Sequence, residues 1–189
     1  MAGIAGADEG TPTVTDTALA ADVAAALRDI PDFPKPGVVF KDISPLLLDA
    51  PLRSRVVGDI VGRHRGRADL VAGIEARGFV FGAVVAHELG VGFVPLRKEG
   101  KLPGATHAVA YDLEYGSATI EMHRDAVAPG QRVLVVDDVL ATGGTAAAAC
   151  HLVEAAGGVV VGIEVILELG FLDGRSRLAD YPLTALVRT

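Results

Sequence analysis

The stretch Arg132–Thr145, RVLVVDDVLATGGT, restricts the fold more than any other part of the chain. Its apolar residues Val133–Val136 run without a polar position between them, so the strand they form has no face for water. Strands of that kind belong to parallel sheets covered by helices on both sides. Two adjacent acids, Asp137 and Asp138, close the run. A short loop then leads into an Ala-rich helix spanning Gly144–Ala156. The unit is strand, loop, helix, and its period switches where the glycines stand.

The same rhythm recurs along the chain. Asp69–Glu75 reads as a short apolar strand, Phe79–Leu89 as a helix, Gly92–Arg97 as a strand and Val159–Leu169 as another. Leu52–His64 reads as a helix with Val56, Ile60 and Val61 inward. Alternating strands and helices predict an α/β fold with a mostly parallel sheet flanked by helices. Near the start, Leu19, Val23, Leu27 and Ile30 recur at helical spacing, with Thr15 or Asp16 as N-cap. Pro31, Pro34 and Pro36 then force an extended or turning segment. Residues 1–15, rich in Ala, Gly and Thr, are expected to be a disordered tail, leaving residues 16–189 as one domain. Residues 100–116 break the alternation. With His107–Asp112 and Ser117–His123 alternating like strands, they predict a flexible hairpin inserted between two sheet strands, as lids and binding loops often are.

Composition narrows the partners. A chain that is 50% hydrophobic and 22% charged fits a soluble globular protein. Its net charge of −7 argues against general nucleic-acid binding but leaves room for a small anion at a local basic cluster. No apolar run has the length of a membrane span, and the N-terminus lacks the pattern of a signal peptide. One cysteine, Cys150, excludes an intrachain disulfide, and a cytoplasmic location is expected. The five histidines show no metal-ligand spacing.

The loop after Asp138 carries the chemistry. In an open parallel sheet, ligands bind at the carboxyl ends of strands. A loop that opens onto a helix N-terminus presents free N–H groups and a positive dipole end to an anion. Gly143 and Gly144 let the backbone come close, and the hydroxyls of Thr142 and Thr145 add donors. Asp137 and Asp138 can accept hydrogen bonds from the vicinal hydroxyls of a ribose, or act on Mg²⁺ through water. An ordinary strand-to-helix turn with an N-cap is the plainer alternative. The string as a whole favours a ribose-phosphate site, and the absence of G-x-x-x-x-G-K-[ST] argues against a P-loop nucleotidase.

This segment resembles the motif by which type I phosphoribosyltransferases bind phosphoribosyl pyrophosphate (PRPP). Four more strings, DFPKPGVVFKDISPLL (Asp32–Leu47), GIEARGFVFG (Gly73–Gly82), RKEGKLPG (Arg97–Gly104) and YDLEYG (Tyr111–Gly116), resemble the adenine phosphoribosyltransferases in order and spacing. The resemblance runs from about Thr17 to the end. It implies the type I fold with a small N-terminal hood, purine salvage from adenine and PRPP to AMP and pyrophosphate, Mg²⁺ held mainly through substrate with no direct protein ligand, and a homodimer.

It also implies roles. Asp137, Asp138, Ala141, Thr142, Gly143, Gly144 and Thr145 would bind the ribose and its phosphate. Phe40, which residue type alone would place in the core, would stack on adenine while the backbone around Val39 and Lys41 reads the base's edge. Many relatives carry Arg in place of Lys41. Arg77, directly after a strand, would bind pyrophosphate rather than merely pair with a surface acid. Arg97, Lys98 and Lys101, otherwise a solvated charge cluster, would face the same leaving group. Glu114 would handle the base's proton and Tyr115 would close over the substrates, where the residues alone suggest only a surface loop. A non-proline cis peptide between Glu75 and Ala76 is a further family feature. Two rivals are a transferase for another base and a PRPP-sensing regulator. The second would need an appended helix-turn-helix or a basic face, and the sequence offers neither.

Overall fold

The computed structural model describes residues 16–112 and 117–189. The expected tail, and Glu114 and Tyr115 with it, lie outside them.

The chain opens with helix α1 (Thr17–Ala26), capped by Asp16, whose Oδ1 accepts the N–H groups of Ala18 and Leu19 at 2.9 and 3.2 Å. The helix ends four residues before Ile30, the last residue of the spacing that predicted it. Ile30 precedes Pro31, which disfavours helical backbone there. Residues Arg28–Pro31 instead form strand β1, paired antiparallel with β2 (Val39–Asp42) in a small separate sheet. Cross-strand charges hold this hood: Lys41 Nζ lies 2.6 Å from Asp29 Oδ1, and Arg28 Nε donates to Asp42 Oδ2 at 3.1 Å. Helices α2 (Ser44–Leu48) and α3 (Ala50–His64) lead into the main sheet.

That sheet contains β3 (Leu70–Ile74), β4 (Gly92–Lys98), β5 (Thr106–Asp112), β6 (Ser117–His123), β7 (Arg132–Leu140), β8 (Val159–Glu168) and β9 (Leu183–Arg188). Their order is β5-β6-β4-β3-β7-β8-β9. Strands β4, β3, β7, β8 and β9 are mutually parallel, and the β5–β6 hairpin adds antiparallel strands at one edge. Helix α4 (Gly78–Leu89) connects β3 to β4, and α5 (Gly144–Ala155) connects β7 to β8.

Strand β7 shows why both faces are covered. Leu134 and Val136 join Val56, Ile60, Phe81 and Val85 of α3 and α4 in one buried cluster. Val133 and Val135 join Ala149, Leu152 and Val153 of α5 in the other. Successive side chains of a strand point to opposite faces, so an unbroken apolar run is what two covered faces require. Each such side chain contributes about 1.5–3 kcal/mol by its burial. The hairpin is no free-standing flap at its base, because Ile120 and Met122 of β6 sit in the α5 cluster. Its pairing to β4 is brief, through Arg97 opposite Glu121 and Lys98 opposite Ile120.

The sequence pattern did not predict β9, α2, or the two 3₁₀ turns Gly170–Leu172 and Gly174–Leu178 that precede β9. Among the described residues β9 pairs only with β8, at the sheet edge.

Strands β3 and β7 are adjacent, yet their following helices lie on opposite faces. The crevice between their carboxyl ends is therefore the topological switch point, where open α/β sheets bind ligands.

Candidate active site

Asp137 and Asp138 lie within β7, as the apolar run ending in two acids implied, and the strand runs two residues past them to Leu140. Asp137 lines a cleft of about 350 Å³ with Val139, Leu140, Ala141, Thr142, Gly143, Thr145 and Ala146. Val165 of β8 and Leu172 of the first 3₁₀ turn close its other side. Gly144 begins α5 and is buried.

The N-cap of α5 is Gly143, at φ 80°, and no side chain among the described residues caps the helix. Its first-turn N–H groups thus keep their donors for whatever occupies the cleft. The ordinary side-chain-capped turn is not what forms here. The loop is held from behind: a Cβ on Gly143 would lie 2.4 Å from the Gly174 carbonyl oxygen, and one on Gly174 would lie 2.1 Å from the Ala141 carbonyl oxygen. Two backbones meet where neither tolerates a side chain.

The two acids differ in setting. Asp138 is 5% exposed, and its backbone N–H donates to Asp137 Oδ1 at 2.9 Å. Burial, and then the neighbouring Asp138 charge, push the Asp137 carboxyl well above the ordinary carboxylate range; Arg77 pulls only weakly the other way. Asp138 Oδ2 lies 2.8 Å from Arg77 Nε, but the N–H is not aligned on it, so this buried oxygen has no hydrogen-bond donor among the described residues. A buried carboxylate oxygen in that setting retains acceptor capacity.

Arg77 ends the loop from β3 and stands at the N-cap of α4. The Glu75–Ala76 peptide just before it is cis. Its guanidinium also lies 5.4 Å from the Phe40 ring centroid, within cation–π range. Phe40 is half-buried on β2, edge-on to Phe33 at 5.2 Å, and belongs to neither core cluster. Beside it Val39 is exposed and Lys41 is engaged with Asp29.

The basic cluster gathers on an acid that the motif reading passed over. Glu75 Oε1 lies 2.7 Å from Lys101 Nζ; Arg97 Nε is 3.3 Å from Oε2, and the Lys98 backbone N–H donates to Oε2 at 3.1 Å. Lys101, then the Lys98 N–H and Arg97, hold this carboxyl down to about 2 against its burial. Lys98 takes part here through its backbone. Glu75 stood in the quoted string GIEARGFVFG, and its place one residue past a strand end was the available signal. Leu172 and Gly174 come from some thirty residues beyond the loop they support, and nothing local marks them.

Among the described residues, no group of three or more His, Cys, Asp or Glu is placed to hold a metal, and no helix is long and apolar enough to cross a membrane.

Comparison with known proteins gives a consistent result. The pattern of the phosphoribosyl transferase domain matches residues 47–180. The adenine phosphoribosyltransferase of Thermobifida fusca is 63% identical over 162 residues, 85% of this chain and 92% of that protein. That of Roseiflexus sp. is 55% identical over 168 residues, 88% and 98% of the two chains. The crystal structure of adenine phosphoribosyltransferase from Thermoanaerobacter pseudethanolicus superposes with a TM-score of 0.86 at 49% identity, covering 90% of this chain and 99% of that one. The Saccharomyces cerevisiae enzyme, crystallised with an imino-altritol bisphosphate and adenine, gives 0.86 at 38% identity over the same shares.

Proposed function

This chain belongs to the phosphoribosyl transferase family, among its adenine phosphoribosyltransferases, and on that premise we propose how its own residues turn adenine and PRPP into AMP and pyrophosphate. The observation that carries the proposal is Arg77, which spans from the buried Asp138 to the aromatic face of Phe40. It links a ribose-phosphate cleft to a surface suited to a purine.

The 5-phosphate of PRPP rests on the Ala141–Thr145 loop at the start of α5, where the uncapped N–H groups meet it. The ribose hydroxyls donate to Asp137 and Asp138, the second through an oxygen that is paired by charge with Arg77 but accepts no aligned hydrogen bond among the described residues. Adenine stacks on Phe40, for about 0.5–1.5 kcal/mol beyond its area burial, while backbone groups of Val39 and Lys41 read its edge. N9 of adenine then attacks the anomeric carbon. The N9–C bond forms as the bond to pyrophosphate breaks, and the leaving group departs with the electron pair. Arg77, Arg97, Lys98 and Lys101 stabilise that developing charge. Glu114 receives the base's proton and Tyr115 helps exclude water; both assignments rest on the family resemblance.

Mg²⁺ fits this site as a partner of the substrate. Asp137 and Asp138 are hard oxygen donors able to reach it through water. The chemistry it would supply is neutralisation of the leaving group. Residues 16–189 act as one catalytic domain in this reading, in the cytoplasm. A second copy of the chain is the proposed partner: Val80 and Val84 on α4 are each 40% exposed, beside a groove lined by Gly58 and Gly62 of α3. Sedimentation of the purified protein tests that point.

A Mg²⁺-dependent assay with PRPP and each of adenine, hypoxanthine, guanine and xanthine tests the reaction. AMP formation from adenine alone is expected. Turnover of another base would overturn the specificity. PRPP binding without turnover of any base would overturn the enzyme reading.

A further inference from the structure

We propose that Glu75 is a built-in competitor of the leaving group: its carboxylate engages Arg97 and Lys101 and so sets how readily pyrophosphate departs. The inference rests on the reading above, in which this turn receives pyrophosphate.

The geometry is that of an anion site already filled. Glu75 follows the last residue of β3, and its backbone N–H donates to the Leu96 carbonyl oxygen at 2.9 Å, which fixes it beside β4. Its side chain is 11% exposed. Both carboxylate oxygens are engaged: Oε1 by Lys101 Nζ at 2.7 Å and by Arg97 Nη2 at 3.4 Å, Oε2 by Arg97 Nε at 3.3 Å and the Lys98 N–H at 3.1 Å. Two side-chain cations and a backbone donor converging on paired oxygens are what a phosphate group would also ask for. Pyrophosphate arriving there meets a like charge and cations that are already committed. Such a site binds its anion less tightly than the same cations would without the acid.

That arrangement suits a leaving group. A product held too firmly makes its release the slow step, whereas a neighbouring carboxylate offers the cations another partner as pyrophosphate leaves. The turn does not depend on Glu75 alone for its shape. Glu121 anchors it separately, with Oε2 accepting the Gly100 N–H at 3.0 Å and Oε1 the Thr106 hydroxyl at 3.4 Å. Removing the charge of Glu75 therefore frees the cations and leaves the backbone of the turn tied down.

The test is Glu75→Gln, which keeps an acceptor for the Lys98 N–H and loses the charge. Isothermal titration with pyrophosphate and Mg²⁺, together with product inhibition of AMP synthesis, reads the effect. The expected result is a Kd and inhibition constant for pyrophosphate lower by about tenfold, with kcat lowered and the KM for adenine unchanged. Glu75→Asp, which keeps the charge, should stay nearer wild type than Glu75→Gln. A raised or unchanged Kd in Glu75→Gln would overturn the proposal, because a carboxylate that merely scaffolds the cations would weaken binding when lost. Glu75→Ala is read the same way if the Gln variant does not fold. Failure of the wild-type protein to bind pyrophosphate at all would instead overturn the site reading on which the proposal stands.

Discussion

Arg77 and Asp138 face each other at 2.8 Å across the crevice between β3 and β7, and the acid is the buried member of the pair. The close approach leaves Oδ2 of Asp138 without an aligned donor. Arg77 is therefore placed beside the buried acid by charge, within reach of the crevice. Arg77→Ala should lower kcat/KM by about 10²–10³-fold, the range seen when one preorganised donor to a developing negative charge is removed. Arg77→Lys keeps the charge but loses the planar face and the fork of donors, so it should recover only part of that loss. Steady-state AMP formation with PRPP varied measures both.

Asp137→Asn should separate stability from function. The Asp137 carboxyl is raised well above its ordinary value of 3.8, by burial first and by Asp138 second. A group raised in this way contributes stability that is present below its unfolded value and lost as pH rises through its folded value. At neutral pH the site thus carries a penalty that an amide removes. The unliganded variant should melt higher, by about 2–4 °C for each kcal/mol relieved, while the KM for PRPP rises because an amide offers the ribose hydroxyls one acceptor oxygen in place of two. A lower melting temperature would contradict the strain assigned to this carboxyl.

Gly174→Ala tests the support behind the phosphate loop. The new Cβ would lie 2.1 Å from the Ala141 carbonyl oxygen, so one backbone has to move. Overpacking of this kind costs about 1–3 kcal/mol. The KM for PRPP should rise more than the KM for adenine, because the displaced segment is the loop proposed to hold the phosphate and not the hood. Equal changes in both would place the effect in global stability.

Acid should weaken the fold through three carboxylates outside the proposed ribose site, one of them Asp69, held down to about 2 by Arg132. Glu75 and Asp42 are each held down to about 2, Glu75 chiefly by Lys101 and Asp42 by Ser44 and then Arg28. Depressed groups contribute stability that is present above their unfolded values, 4.5 and 3.8, and lost as pH falls through about 2. Asp137 opposes this trend, since its protonated form is the favoured one in the fold. Urea midpoints taken between pH 7 and pH 3 should decline below about pH 4.5. Lys101→Ala and Arg28→Ala should each flatten that decline.

Much of the fold could be read from pattern. The apolar runs of β3, β7 and β8 and the switch to helical spacing after each loop reflect burial on both faces, which is a property of composition along the chain. The hood could not be read that way. Leu19, Val23, Leu27 and Ile30 keep a helical period, yet Ile30 ends opposite Phe40 in a strand, because Pro31 and the pairing with β2 override it. β9 was missed for a related reason: Leu183–Arg188 becomes a strand by pairing with β8 at the edge of the sheet.

By itself, the sequence determined the sheet of buried strands, the Gly-rich loop at a helix start and the identity of the acids beside it, since local backbone freedom and apolar periodicity are written residue by residue. Only the tertiary structure decided which distant groups meet: Arg77 with Asp138, Gly143 against Gly174, and Glu75 with Lys101. Those contacts join residues up to some sixty positions apart. They exist because parallel strands bring the carboxyl ends of separate segments to one edge, which no local pattern can express.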